Sequence, residues 1–184
     1  MEGTFSAGIS LMPELDNHIQ EDTYNWDERR EMVFYYKMAC MYFGAGKHSE
    51  AIDYLNLIIN QRNPDYRQDI QCFARILSLV SHYELGNERL VEYQIKSVYR
   101  FLAKMKDLHD VQREIFRFLR RTPRIHTSQV REEFVTLKGK LEVAYNKRYE
   151  RRPFLYFDII SWLESKIEGK TVQEVIHQKF LANK

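Results

Sequence analysis

The sequence predicts an all-α fold, a stack of antiparallel helix hairpins with about eight helices in a single domain spanning residues 1–184. Three observations predict it. Apolar residues recur at three- and four-residue intervals along most of the chain, and no stretch alternates apolar and polar residues as a half-buried strand does. Only 7 Gly and 4 Pro occur in 184 residues, which leaves few breakers and favours long helices. Finally, Tyr42 to Leu55 reads as a helix end, a tight Gly turn and a helix start. An echo follows 40 residues later, around His82 to Glu88 and Val91 to Ile95. A period of that size marks a helical repeat, an architecture that binds more often than it catalyses.

The elements follow in order. Residues 1–22 hold the apolar set Phe5, Ile9, Leu11, Met12, Leu15 and Ile19, and Pro13 suits the first turn of a short helix to about Gln20. That helix has no local partner, so the expectation is either a capping helix or a chain that is part of a longer array. Asn25-Trp26-Asp27-Glu28 reads as a capping box with Asn25 as N-cap, opening a helix to about Phe43 through Val33, Phe34, Met38, Met41 and Tyr42. Gly44 and Gly46 stop it. Ser49 to Asn60 follows, with Ile52, Leu55, Ile58 and Ile59 on one face. Asn63-Pro64 restarts a helix to Leu85, Gly86-Asn87 turns, and Leu90 to Lys106 forms a long amphipathic helix. A fifth segment, His109 to Arg121, carries Val111, Ile115, Phe118 and Leu119 inward and ends before Pro123. Ser128 to Tyr149 comes next, broken by Arg151-Arg152-Pro153. Phe154 to Ile167 is stopped by Gly169, and Thr171 to Glu174 is a capping box for the last helix, ending near Leu181.

Composition narrows the function classes. With 44% hydrophobic and 14% aromatic residues, a folded core is expected. No window approaches ~18 uninterrupted apolar residues, so no membrane span is expected. Met1 to Thr4 lacks a basic region leading into an apolar run, so no secretion signal is expected either. Cys40 and Cys72, the only cysteines, sit in apolar helical settings and read as small core residues, which suits a reducing cytoplasm. Net charge is +2, yet residues 1–92 carry 8 Lys and Arg against 15 Asp and Glu, whereas residues 93–184 carry 20 against 11. Such asymmetry marks either a basic face for an acidic partner or complementary halves in self-association.

The first hairpin resembles a tetratricopeptide repeat. Ala39 stands where that family has a small residue for close helix packing, Tyr42 where an aromatic fills the groove, and Gly46 at the turn. Ala51, Leu55 and Pro64 complete the pattern. The second hairpin keeps Gly86 but has Leu79 and Val91 for the small residues and His82 for the aromatic. The overall look is similar to divergent bacterial proteins of that family. The resemblance implies a right-handed superhelix and a non-catalytic scaffold that holds a peptide or partner helix in a groove lined by the first helix of each unit. Val33, Tyr36, Cys40 and Phe43 would line it in the first unit and Phe73, Ile76, Val80 and Tyr83 in the second. These apolar side chains suit a hydrophobic peptide face. The opposing reading is that neighbouring helices fill the groove and the same residues are core.

A basic run supplies the alternative. Between Lys96 and Arg152 there are 16 Lys and Arg and 7 Asp and Glu. Arg113, Arg117, Arg120, Arg121 and Arg124 fall on one helical face and the turn after it, a stripe suited to nucleic-acid phosphates or an acidic protein. The spacing of Tyr99, Phe116 and Phe118 suggests burial rather than base stacking. The bland reading is a solvated face paired with Glu114, Glu132 and Glu133. Arg121 and His126 have the Arg-x4-His spacing of some small helical ribonucleases, but Pro123 between them breaks the helix that chemistry needs. The six His are dispersed, with no His-Glu-x-x-His or Cys/His cluster, and there is no Gly-rich phosphate loop, so neither metal, cofactor nor enzymatic activity is expected.

Overall fold

The structure is a computed structural model that describes residues 2–21, 25–61, 67–104, 110–121, 127–146 and 157–183. Among these residues it is all-helical, with no strand. The helices are α1 (Phe5–Gly8), α2 (Met12–Gln20), α3 (Glu28–Gly44), α4 (His48–Ile59), α5 (Gln68–Glu84) and α6 (Glu88–Leu102). After them come α7 (Asp110–Arg121), α8 (Val130–Tyr145), α9 (Ile159–Glu168) and α10 (Val172–Ala182). Short 3-10 turns, Ile9–Leu11 and Thr127–Gln129, lead into α2 and α8. Each helix from α3 to α10 packs on its sequence neighbour, and α3 on α5 and α5 on α7 form an inner row. No helix among the described residues is long and apolar enough to cross a membrane.

The three hairpin turns share one geometry. Gly46, Gly86 and Gly169 take φ of +75°, +71° and +69°, a left-handed conformation that costs Gly little. Each is followed by a backbone N–H that reaches five residues back: Lys47 to Tyr42 O at 2.8 Å, Asn87 to His82 O at 3.0 Å and Lys170 to Ser165 O at 3.0 Å. This bond satisfies carbonyls that a helix end would leave open, so the predicted turn at Gly46 recurs twice.

Helix starts are less uniform. The expected N-cap Asn25 lies outside the helix at φ +49°, and Asp27 caps α3 instead, its carboxylate accepting from Arg30 N at 2.8 Å. The reason is register: the carboxylate that can reach the orphaned N–H groups is the one directly before the first helical residue. The Thr171 box forms as expected, Thr171 Oγ1 accepting from Glu174 N at 3.2 Å and Glu174 Oε2 from Thr171 N at 2.8 Å. Of the helix expected over Ser128 to Tyr149 the structure describes Val130–Tyr145, and of the one expected over Leu90 to Lys106 it describes Glu88–Leu102; residues 105, 106 and 147–149 lie outside the described residues. Asn63, Pro64, Pro123, Arg151, Arg152, Pro153 and Phe154 lie outside the described residues.

Helix α5 is the centre of the stack. From Ile70 to His82 every residue except Arg75 is buried. Burying Ile70, Ile76, Leu77, Leu79 and Val80 stabilises by about 1.5–3 kcal/mol each. Several polar side chains on α5 are matched, although the buried Ser81 hydroxyl has no partner among the described residues. Gln71 Nε2 donates to Ile58 O at 2.9 Å, and the Arg75 guanidinium lies 3.8 Å over the Phe101 ring while donating to Gln71 O. His82 is buried with Nδ1 3.3 Å from Asn87 Nδ2, and burial lowers its pKa.

The two ends of the stack meet. Ser6 N and Oγ donate to Gln173 Oε1 at 2.8 and 2.9 Å, and His177 Nδ1 sits 2.8 Å from Glu2 O. Gly3, at φ +72°, lies so close to α10 that a Cβ there would come within 2.6 Å of His177 N. The Phe5 ring rests on Gly44, where a Cβ would be 2.6 Å from the ring. Gly44 therefore provides the socket that docks α1 on α3.

Candidate functional site

The predicted peptide groove is occupied by the chain itself. Tyr36, Phe43, Phe73, Ile76 and Val80 are buried, and Val33, Cys40 and Tyr83 are half-buried against the same cluster. At one end of the row, α9 and the residue leading into it cover Phe43 and Tyr83. Phe157 meets Phe43 edge-on at 5.3 Å, and Trp162 meets Tyr83 at 6.3 Å and Phe134 at 5.6 Å. Trp162 Nε1 donates to Glu84 Oε1 at 2.6 Å, and Lys166 on the next turn pairs with the other Glu84 oxygen. The eight groove residues belong to one core cluster rather than an open surface, since α3 and α5 pack on each other and on α4, and α5 packs on α7. A helix 78 residues from Glu84 in sequence closes the Tyr83 end.

The cysteines follow the same pattern. Both are free. Burial pushes each thiol up to about 12, and Cys72 Sγ accepts from Gln112 Nε2 at 3.0 Å. Tyr42 stacks on Tyr54 at 5.5 Å with 12° between the rings, the inter-helix role expected of it.

A polar hollow of about 270 Å³ opens where α3, α9 and α10 converge, lined among others by Phe43, His48, Glu84, Lys166 and Gln173. Burial lowers the pKa of His48, Lys166 adds to that shift, and Glu84 opposes it. Sequence reading missed this convergence, since its members are spread along the chain from Ser6 to Gln173 and share no motif.

The outer surface carries a row of arginines on α7. Helix α7 buries Val111, Gln112, Ile115, Phe116, Phe118 and Leu119 and turns Arg113, Arg117, Arg120 and Arg121 to solvent. Arg124 lies outside the described residues. Three of the four arginines have carboxylate neighbours: Arg113 with Asp110 at 2.6 Å, Arg117 with Glu114, and Arg121 with Glu133 at 2.7 Å. Lys140 shares Glu114 at 3.2 Å. Arg120 makes no ion pair among the described residues. These bridges are exposed and contribute about 0–1 kcal/mol each, so exchanging them for an incoming anion costs little.

Arg120 is common to three hollows flanking α7. The largest, about 650 Å³, runs between α6 and α7 and is lined by Arg89, Glu92, Tyr93, Ile95, Lys96, Arg120 and Arg121. A second of about 370 Å³ lies at the other end of the same seam, with Tyr99, Arg113, Phe116 and Arg117. A third of about 320 Å³ lies toward α8, with Glu114, Arg117, Thr136 and Lys140. Tyr99 departs from the expectation of burial: it is 56% exposed, whereas Phe116 and Phe118 are buried. Its position on the flank of α6, beside rather than within the row Val91, Ile95, Val98 and Leu102, accounts for this.

Among the described residues no three or more His, Cys, Asp and Glu side chains gather as a metal site. In comparisons of this chain with protein-family models, with curated proteins and with solved structures, nothing matched.

Proposed function

We propose that this chain is a non-catalytic binding module that engages an anionic partner through the arginine face of α6, α7 and α8. The observation that carries the reading is the fully segregated α7. Its buried side is apolar but for Gln112, its solvent side holds four arginines, and hollows open along both flanks. Guanidinium groups suit this task because they stay charged and donate through a planar fork that matches carboxylate and phosphate oxygens. The tetratricopeptide-like resemblance points the same way in kind, toward binding. The surface differs from the one that resemblance implies, because the residues of that groove pack into the core. The non-catalytic reading rests on the interior carboxylates having structural partners, Glu84 with Trp162 and Lys166 and Glu164 with Lys138 and Lys179.

Retention on immobilised heparin, a polyanion, tests this. Arg117/Arg120/Arg121→Ala should elute at clearly lower salt than the wild type. A control with the same charge removed elsewhere, Arg30/Lys37/Lys47→Ala, should elute close to the wild type. Equal elution of the two triple variants would show that retention follows net charge alone and would overturn the assignment.

A further inference from the structure

The geometry points to a single-stranded nucleic acid as the anionic partner, with its backbone along the seam between α6 and α7 and its bases against Tyr93 and Tyr99. This rests on the reading of the arginine face as the binding surface and adds the chemistry of the ligand.

Three features favour nucleic acid over an acidic peptide. The seam has cations on both walls. Arg89, Tyr93, Lys96 and Arg100 recur at helical spacing along the outer crest of α6, all exposed. Across from them stand Arg113, Arg117, Arg120 and Arg121 of α7. In the larger hollow Glu92 is the single carboxylate against four cations. A groove with cations on both sides tracks a phosphate chain.

Aromatic rings stand in that same seam. Tyr93 is 77% exposed, the most exposed large hydrophobic residue among those described. Tyr99 leans on buried Phe116 at 5.7 Å with 31° between the rings, so one face is braced and the other open. Both rings keep more than half of their surface in water beside guanidinium groups. A carboxylate-rich peptide gains nothing from the rings, whereas every base has a face that stacks.

The spacing also fits. Six residues along α6 set the tyrosines about 9 Å apart along the axis and roughly 120° apart around it, so a strand that meets both winds across α6 over two to three bases at roughly 3.4 Å each. A duplex offers no open base faces, so a rod of stacked pairs would use the cations but not the rings.

The test is fluorescence anisotropy with labelled octauridylate and oligo(dT)8, set against an 8-base-pair duplex and an octaglutamate peptide, using the whole chain. Single strands should bind more tightly than duplex or peptide. Affinity should fall steeply with salt, with a log–log slope near roughly −0.7 per phosphate contacted. Tyr93→Ala and Tyr99→Ala should each weaken single-strand binding by about ten-fold while leaving octaglutamate binding and the circular-dichroism spectrum unchanged. Tyr93→Phe and Tyr99→Phe should retain binding. Arg89/Arg120→Ala should flatten the salt slope. If octaglutamate binds as well as the single strands and the alanine variants change nothing, the nucleic-acid assignment falls and the anionic-partner reading stands. If no probe binds at low salt, both fall. Tighter binding of the duplex would overturn the stacking geometry.

Discussion

Replacing Trp162 by Phe should loosen α9 from the inner row by a calculable amount. Trp162 has 0% of its surface exposed, and its indole N–H donates to the Glu84 carboxylate at 2.6 Å. A hydrogen bond to a charged acceptor contributes about 1.5–3 kcal/mol. Phe keeps the edge-on contacts with Phe134 and Tyr83 but leaves the volume of the lost ring empty, so the total should reach about 2–4 kcal/mol. With a urea slope of roughly 2 kcal/mol per molar, the midpoint of chemical unfolding should drop by about 1–2 M. Circular dichroism is the readout, since the substitution removes one of the two tryptophans and changes the fluorescence signal itself. Glu84→Gln provides the control. It retains an oxygen for the indole but not the charge, so Trp162→Phe should cost about 1 kcal/mol less in that background. A midpoint unchanged by Trp162→Phe, or an equal cost in both backgrounds, would refute the claim that this hydrogen bond anchors α9.

Gly44→Ala places a Cβ 2.6 Å from the Phe5 ring. It should destabilise by about 1–3 kcal/mol despite the better helix propensity of Ala. The cost should largely vanish in a Phe5→Ala background, and a higher melting temperature for the single variant would contradict the socket. Burial pushes the Glu164 carboxyl up, but the hydrogen bonds and charges of Lys179 and Lys138 outweigh it and hold its pKa below the usual 4.5. Its contribution is therefore complete above pH 4.5 and is lost as pH falls through the lower folded value. Acid unfolding should be steeper in the wild type than in Glu164→Gln, and parallel curves would sink this. Thr171→Ala removes the α10 cap and should cost about 1 kcal/mol, read as a lower melting temperature with faster amide exchange confined to α10.

Local structure was readable because its causes are local. The buried set Val111, Ile115, Phe118 and Leu119 and the outward arginines of α7 follow from one 3.6-residue period, and Gly46, Gly86 and Gly169 mark turns that need a left-handed residue. Occupancy of the inner row was not readable. Periodicity shows that Phe73, Ile76 and Val80 have an apolar side, but nothing in it says which helices will bury that side or that Trp162 will close the Tyr83 end. The deciding contacts, Trp162 with Glu84 and Ser6 with Gln173, join residues 78 and 167 positions apart. Tyr99 was misjudged for a subtler reason. It adjoins the apolar stripe of α6, and a residue at the edge of a stripe is buried only if the neighbouring helix reaches it. The α7 arginines, held out in solvent, leave it open.

The shift from an acidic first half to a basic second half resolves into two separate roles. Lysines of the second half clamp carboxylates within the stack: Lys166 holds Glu84, and Lys138 and Lys179 hold Glu164 from two sides, at side-chain exposures of 10% and 15% for the two acids. The arginines of α7 do the opposite. They point outward, and their carboxylate neighbours are mostly on the same helix or at its rim. Flexible ammonium stems suit inward clamps, where one point charge must reach a fixed oxygen. Planar, weakly hydrated guanidinium groups suit an outer surface that exchanges one anion for another. The same basic excess therefore stabilises the fold on one side and prepares a contact surface on the other. Lysine substitutions in the clamps should change stability and leave anion binding intact, whereas arginine substitutions on α7 should do the reverse.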